Sequence, residues 1–85
     1  MTLQEKFEDA QKRVKALTQA PATDQLLQLY ALFKQGSVGD VSGARPGMMD
    51  FKGRAKYDAW SARKGTPKDR AMEEYVALVD QLVSR

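Results

Sequence analysis

The chain of 85 residues contains no cysteine and no histidine, and these absences narrow the kinds of protein it could be. Without cysteine, neither a disulfide framework nor a thiolate metal site can form. Without histidine, the usual general base, the commonest metal ligand and the Ser-His and Cys-His nucleophile pairs are missing. Catalysis would depend on carboxylates, lysines or tyrosines alone, and the adjacent Glu73 and Glu74 would point in different directions on a helix. The composition therefore favours a protein that is not an enzyme.

Long apolar runs are absent as well. No run approaches the ~20 residues needed to span a bilayer, and residues 1–6 lack the apolar core of a signal peptide. We therefore expect a soluble intracellular protein, located in the cytoplasm. A chain of this length has room for one modest core, and it contains no repeat, low-complexity tract or linker. We expect a single domain that spans residues 1–85.

The charge of the chain is small but unevenly distributed. The formal net charge is +3, from 14 basic and 11 acidic side chains. Residues 34–70 hold nine basic and four acidic side chains, whereas residues 1–33 are neutral in sum and residues 71–85 carry a net negative charge. The middle of the chain is therefore where we expect an anion to bind. A purely solvated basic surface is the alternative, but such a surface does not need the large apolar side chains interleaved with these cations. These side chains are Met48, Met49, Phe51, Tyr57 and Trp60.

Apolar periodicity predicts two helices in the first half of the chain. The first should run from about Thr2 or Glu5 to Leu17, because apolar residues recur there at alternating spacings of four and three. After the break at Pro21, Thr23 is expected to cap the second helix. That helix carries apolar residues on two faces, one for the protein core and one for a ligand, and Gly36 and Gly39 signal its end.

The second half predicts a long loop and two more helices. Periodicity is lost from Gly39 to Lys52, and loops of this length are often functional. A short third helix is expected from Gly53 to about Lys64, with Gly65 as its left-handed stop. Thr66 and Pro67 then signal the start of a fourth helix. Since no β-hairpin signal competes, the fold class is all-α, a small four-helix bundle with a long loop between helices 2 and 3.

The most informative segments are residues 30–35 and 45–60, which combine aromatic rings, apolar side chains and cations on predicted helix surfaces. Tyr30 and Lys34 are four residues apart and share a helix face, and Lys52 and Lys56 have the same spacing. A tyrosine can stack on a base, cations bind phosphates, and an apolar trough takes a hydrocarbon chain. The two segments therefore suit a ligand that is aromatic, phosphorylated and apolar at once.

Together with residues 18–21 and 64–75, these segments closely resemble the acyl-CoA-binding protein family over nearly the whole chain. The resemblance implies a four-helix bundle that binds and buffers medium- to long-chain acyl-CoA esters without catalysing a reaction. It implies no cofactor, with acyl-CoA as the ligand. It also implies a monomer that does not bind nucleic acid and that makes transient contacts with membranes or acyl-CoA-using enzymes.

The resemblance also implies roles for single residues. The positions that match those binding the nucleotide part of CoA, with the lysines and the tyrosine hydroxyls directed at the 3′-phosphate region, are Tyr30, Lys34, Lys56 and Tyr75. Leu27 and Met48 or Met49 lie where the acyl groove and its rim are expected. The ligand-binding set is completed by Phe33, Lys52 and Gln11, whereas Gln35 matches an interior residue.

Four positions depart from the commonest family pattern. Phe33 stands where a tyrosine is frequent, which removes a hydroxyl whose hydrogen bond to a charged ligand group would contribute about 1.5 to 3 kcal/mol. Gln11 stands where a small alanine is common beside the adenine. Tyr57 replaces a usual tryptophan and Arg54 a usual lysine, changes that keep the aromatic surface and the charge. These departures bear on affinity and not on the kind of ligand.

Other interpretations stay open on the sequence alone. Tyr30 and Tyr75 could be ordinary core tyrosines, the Met48–Met49 pair could fill a gap, and single lysines are usually solvated. The central basic cluster permits a small nucleic-acid-binding module, although only the density of lysine and arginine supports it. A membrane-surface protein could use the same basic face. Thioester hydrolysis ranks last, because no activated nucleophile is visible.

Overall fold

The computed structural model describes residues 1–84, which form four α-helices and no β-strand. In chain order the helices are α1 (Leu3–Lys15), α2 (Thr23–Ser37), α3 (Phe51–Ser61) and α4 (Lys68–Val83). Residues 38–50 form the long connection between α2 and α3. The predicted all-α class and the position of its long loop are confirmed. None of these four helices combines the length and the hydropathy needed to cross a membrane.

The helices lie side by side in the order α1, α4, α2, α3. Helix α4 packs against both α1 and α2, and α2 packs against α3 on its other side. Within residues 1–84 the backbones of α1 and α2 do not approach each other directly. The Cα atoms span 38 × 28 × 15 Å, a flattened shape. In this arrangement a groove lies on each side of α2.

The core lies where α1, α2 and α4 meet, around the ring of Phe7. This ring stacks on Phe33 of α2 with centroids 6.1 Å apart and meets Tyr75 of α4 edge to face at 5.1 Å. Aromatic pairs in these geometries contribute about 0.5 to 1.5 kcal/mol beyond the burial of their surface. The core cluster comprises Phe7, Ala10, Leu29, Leu32, Ala71, Met72, Tyr75, Val79 and Leu82. The periodic apolar positions of the first and last helices therefore form the core as predicted.

Helix α1 begins with a capping box. The Thr2 hydroxyl accepts a hydrogen bond from the Glu5 N–H at 3.1 Å, and the Glu5 carboxylate accepts one from the Thr2 N–H at 2.9 Å. These two bonds satisfy amide groups that the first turn leaves without partners. The helix ends at Lys15, two residues before the expected Leu17, which still packs against the core from the following turn.

The N-terminal end of α2 differs from the prediction, and of the two glycines expected at its C-terminal end only Gly39 makes the turn. The N-cap is Ala22, not Thr23, and the Gln25 side chain accepts a hydrogen bond from the Ala22 N–H at 3.1 Å. Gly36 does not end the helix, which continues to Ser37. Gly36 is needed for close packing of α2 on α4. A Cβ at this position would lie 3.1 Å from Met72 Cγ and 3.4 Å from the Met72 backbone nitrogen, which is closer than ordinary van der Waals contact for Cγ. The turn is made by Gly39, which has a φ of +100°.

The boundaries of α3 also differ from the prediction. Helix α3 begins at Phe51, before the predicted Gly53, because the Asp50 carboxylate accepts a hydrogen bond from the Gly53 N–H at 3.0 Å and caps the helix. It ends at Ser61, earlier than Lys64.

The start of α4 shows one prediction confirmed and one wrong. Gly65 has a φ of +93°, the left-handed conformation predicted for it. Thr66 does not cap α4: the N-cap is Pro67, and no side chain bonds to the first turn. The Thr66 carbonyl instead accepts a hydrogen bond from the Gln35 amide, which ties this turn to α2.

Candidate functional site

Two grooves flank α2 and share Leu26 as a common wall. The first, here called the aromatic groove, has a volume of about 460 Å³ and lies between α1 and α2 with α4 beneath. It is lined by Gln11, Val14, Lys15, Pro21, Leu26, Leu29, Tyr30, Phe33 and Tyr75. The second, here called the lysine groove, has a volume of about 430 Å³ and lies between α2 and α3. It is lined by Thr23, Leu26, Leu27, Lys52, Ala55 and Lys56.

The aromatic groove offers ring surfaces and few polar groups. Phe33 is held by its stacking on Phe7, and Tyr30 is half-buried in the groove wall. Tyr75 is only 5% exposed, and this burial raises the pKa of its phenol above the usual value near 10. The Tyr75 hydroxyl makes no hydrogen bond to another of residues 1–84 and stays protonated at neutral pH. The groove therefore presents flat apolar surfaces together with a neutral hydrogen-bond donor.

A cation from α3 lies against the wall that separates the two grooves. Lys56 Nζ lies 5.3 Å from the centre of the Tyr30 ring, a cation–π distance. Lys56 lines the lysine groove and Tyr30 lines the aromatic groove. A positive charge and a stacking surface thus meet at the boundary of the two grooves, an arrangement that can hold a phosphate beside an aromatic base.

Lys34 takes a different neighbour. It lies one turn beyond Tyr30, as its spacing predicted, but its Nζ is 4.9 Å from the centre of the Trp60 ring. Trp60 is buried, and its indole N–H donates to the Gly39 carbonyl at 2.8 Å. The Lys34 ammonium is therefore positioned by α3 and lines neither groove.

Most residues predicted for the ligand-binding set lie along the two grooves. In the aromatic groove are Gln11, Tyr30, Phe33 and Tyr75, and in the lysine groove are Leu27, Lys52 and Lys56. Met48 lines neither groove and is 77% exposed. The structure thus brings seven of the nine predicted residues to the two sides of α2 and leaves Lys34 and Met48 apart from the groove walls.

Leu26 was not among the residues predicted from the sequence, although it lines both grooves and joins them. It is 47% exposed. Ala55, a small residue of α3 that also lines the lysine groove, was not predicted either. The available signal was the second apolar face of α2, which indicated a ligand-facing side without showing which leucine would lie at its centre.

Side chains of α3 fix the long loop to the rest of the site. Arg45 makes two hydrogen bonds to the Asp58 carboxylate, at 3.0 Å and 2.7 Å. The Arg45 guanidinium holds the pKa of that carboxyl below its usual range. The Tyr57 hydroxyl donates to the Gly43 carbonyl at 3.0 Å. These bonds hold the loop against the helix that carries Lys52 and Lys56.

Gln35 is fully buried and serves the structure, in agreement with its predicted interior position. Its Nε2 donates to the Asp40 carboxylate at 2.9 Å and to the Thr66 carbonyl at 2.7 Å. The Gly65 N–H donates to the same carboxylate at 2.8 Å, and these two donors lower the pKa of Asp40. The network connects the end of α2 to the turn before α4.

Several cations of the central basic cluster have local partners. Arg45 pairs with Asp58, and Arg63 and Arg70 both pair with Glu74. Lys34 and Lys56 lie over aromatic rings. These contacts divide the cations among separate neighbours, and they give the nucleic-acid alternative no support.

Comparison with known proteins decides the family. The family model described as "Acyl CoA binding protein" matches residues 4–79, most of the chain. The chain belongs to the acyl-CoA-binding protein family. The resemblance seen in the sequence is therefore confirmed.

Relatives from distant organisms agree with this membership of the acyl-CoA-binding protein family. Acyl-CoA-binding protein homolog 1 of Caenorhabditis elegans is 53% identical over 79 residues, covering 93% of this chain and 92% of the relative. The acyl-CoA-binding protein of Saccharomyces cerevisiae is 47% identical over 79 residues, covering 93% and 91%. The crystal structure of Oryza sativa acyl-CoA-binding protein 2 superposes with a TM-score of 0.93 at 41% identity, covering 98% of this chain and 92% of that one.

Proposed function

We propose that this protein is a carrier that binds acyl-CoA thioesters one to one and releases them chemically unchanged. The observation that carries the proposal is the position of the Lys56 ammonium over the Tyr30 ring, at the boundary between an aromatic groove and an apolar groove. An acyl-CoA has the matching parts: a purine base, phosphates and a hydrocarbon chain. Membership of a family of non-catalytic carriers supports this function and the expectation that the chain is not an enzyme.

The binding mechanism follows from the chemistry of the two grooves. The base stacks in the aromatic groove against Tyr30, with the Gln11 amide and the neutral Tyr75 hydroxyl as hydrogen-bonding groups. Lys56 binds the phosphates, and Lys34 joins it by leaving the Trp60 face, at a cost of the order of 1 kcal/mol for an exposed cation–π contact.

The acyl chain lies in the lysine groove in this proposal. The apolar side chains of Leu26, Leu27 and Ala55 form the walls of this groove. Lys52 lines the same groove and would contact the polar part of the thioester. Each methylene that leaves water contributes about 0.8 kcal/mol, or roughly fourfold in affinity. Binding in this position shields the hydrocarbon from water, which is the physical basis of a buffering and transport role.

The remaining features of the proposal concern the setting of the protein. We propose a single domain over residues 1–85 that acts as a monomer in the cytoplasm, requires no cofactor, and makes transient contacts with membranes or with enzymes that use acyl-CoA. The domain assignment is supported by the family match over residues 4–79 and by the single core of α1, α2 and α4.

Titration calorimetry with a series of acyl-CoA esters of increasing chain length tests the function. Affinity should rise by roughly fourfold per added methylene until the groove is full and then level off. Free CoA should bind much more weakly than the long-chain esters. Equal affinity for free CoA and a long-chain ester would contradict the groove assignment, and loss of the thioester during incubation would contradict a non-catalytic carrier.

A further inference from the structure

Three large apolar side chains project from the protein where the long loop joins α3. Met48, Met49 and Phe51 are 77%, 86% and 74% exposed, and we refer to them together as the apolar tip. None of them lines the aromatic groove or the lysine groove. The tip is close in sequence to the proposed site but contributes nothing to the walls of either groove, so its exposed apolar surface has no role in the binding described above.

The exposure of the apolar tip is built into a defined turn. The Asp50 N–H donates to the Gly47 carbonyl at 3.0 Å, which closes the turn that carries both methionines. The Asp50 carboxylate then accepts a hydrogen bond from Gly53 and starts α3 at Phe51. Upstream, the double hydrogen bond between Arg45 and Asp58 anchors the approach to the turn. These contacts hold the three side chains outward, away from the core.

Basic residues flank the apolar tip along the chain. Residues 45–56 hold four basic side chains and one acidic one. Lys52 and Arg54 lie in the first turn of α3 and form no ion pair with another of residues 1–84. The acidic residue, Asp50, caps α3, where the positive end of the helix dipole offsets its charge.

A membrane surface suits this combination better than a protein partner does. A stable protein interface buries about 800 Å² on each side and involves roughly 20 to 30 residues, far more than a tip of three side chains. A bilayer interface accepts a few protruding apolar side chains, and anionic headgroups attract cations beside them. We propose that the apolar tip inserts into the interface of a membrane containing anionic lipid, with Lys52 and Arg54 facing the headgroups.

Docking in this way places the lysine groove next to the bilayer. Lys52 follows Phe51 directly in the chain and also lines that groove. A hydrocarbon chain leaving the groove would then enter lipid without crossing bulk water. This consequence rests on the proposed function, because it requires the acyl chain to occupy the lysine groove, whereas the docking itself does not.

Co-sedimentation of the ligand-free protein with vesicles tests the docking. Two vesicles are compared, one of phosphatidylcholine alone and one that also contains phosphatidylserine. The wild-type protein should partition onto the anionic vesicle, and Met48→Ser/Met49→Ser should weaken this by at least about tenfold through loss of apolar insertion. Lys52→Ala and Arg54→Ala should each weaken it by about fivefold and reduce its salt dependence. The matched control Val38→Ser, which alters an exposed apolar side chain outside the tip, should leave partitioning unchanged.

Phe51→Ser separates the docking from the proposed ligand binding. We expect it to weaken vesicle partitioning while the affinity for acyl-CoA measured without vesicles stays within about twofold, since Phe51 lines neither groove. The proposal is overturned if the wild-type protein binds neither vesicle, if it binds both equally, or if the tip variants bind as well as wild type. Vesicle binding by a wild-type protein that fails to bind acyl-CoA would overturn the proposed function and support the docking alone.

Discussion

The Lys56 ammonium of α3 lies 5.3 Å from the centre of the Tyr30 ring of α2, across the boundary between the two grooves. This contact places a positive charge where a phosphate could bind before any ligand arrives, because the ring holds the exposed ammonium at that boundary. An exposed cation–π contact contributes only about 0.5 to 1 kcal/mol. The ring therefore positions the ammonium but holds it weakly, so the ammonium can still move to bind a phosphate.

Removing this charge should weaken binding of the nucleotide part selectively. We expect Lys56→Ala to lower the affinity for a long-chain acyl-CoA by roughly 10- to 100-fold, because a hydrogen bond to a charged group contributes about 1.5 to 3 kcal/mol. The affinity for a free fatty acid should change much less. Titration calorimetry of both ligands measures the difference. Lys6→Ala, which removes an exposed lysine from α1, is the matched control and should behave as wild type.

An equal loss for the acyl-CoA and the free fatty acid would contradict the phosphate role of Lys56. Such a result would point to a change in the lysine groove itself, since Lys56 also lines that groove.

Restoring a hydroxyl at position 33 should tighten binding. Phe33 lines the aromatic groove and stacks on Phe7, so a tyrosine can take its place with the ring unchanged. We expect Phe33→Tyr to raise the affinity for acyl-CoA and for free CoA by about tenfold if its hydroxyl reaches a charged group of the ligand. A fatty acid should gain nothing. Calorimetry with all three ligands tests this, and an unchanged or weaker affinity for free CoA would show that the hydroxyl does not reach the nucleotide.

Gln35 should be a major contributor to stability, because it is fully buried and its amide donates to two partners. Gln35→Ala leaves the Thr66 carbonyl unpaired, takes one donor from Asp40 and opens a cavity. We expect the free energy of unfolding to fall by about 2 to 4 kcal/mol, measured by denaturant titration. Gln28→Ala, on the exposed side of the same helix, should change it by less than about 0.5 kcal/mol.

The same substitution should be visible at Asp40. Its pKa lies below the usual range because the Gly65 N–H, and after it the Gln35 amide, bond to the carboxylate. We expect this pKa to move back up in Gln35→Ala, as measured by NMR titration. An unchanged pKa together with unchanged stability would mean that the buried network does not hold α2 to the turn before α4.

Local sequence was sufficient to predict that four helices form and which apolar stripes face the core, but it did not predict several caps and helix ends, or the contacts that depend on how helices meet. The apolar stripe through Phe7 and the one through Tyr75 are periodic along the chain, so their burial could be predicted. Gly36 looked like a helix end, yet it is buried against Met72, a contact that only the packing of α2 on α4 creates. The residues next to Gly36 in the chain therefore could not predict this packing role.

The candidate site shows the same division. Helical spacing predicted that Tyr30 and Lys34 lie one turn apart, and both residues lie in α2. Spacing alone could not show that the Lys34 ammonium would lie over Trp60 while Lys56 lies over Tyr30, because both contacts cross from one helix to another. Met48 was placed at a groove rim by resemblance, whereas the turn through Gly47 and Asp50 carries it outward.

The phenol of Tyr75 should make the protein less stable in alkaline solution. Burial raises its pKa in the folded state above the value near 10 that it has when unfolded. Its contribution to stability is therefore fully present below about pH 10 and is lost as the pH rises through the folded pKa, because the unfolded state ionises first. Phenolate absorbance and denaturant unfolding across this alkaline range measure the two effects.

Two phenylalanine variants isolate the contribution of Tyr75. Tyr75→Phe should lose less stability than wild type as the pH rises above about 10. The part of the phenolate absorbance that appears at the highest pH in wild type, which we assign to Tyr75, should be absent from this variant. Tyr30→Phe keeps the buried Tyr75 phenol, and its free energy of unfolding should fall with pH as steeply as that of wild type. Identical pH profiles for wild type and Tyr75→Phe would contradict the raised pKa. At neutral pH the phenol stays protonated, so Tyr75 should add no pH dependence to acyl-CoA binding there, and any that calorimetry detects must come from other groups of the protein or from the ligand phosphates.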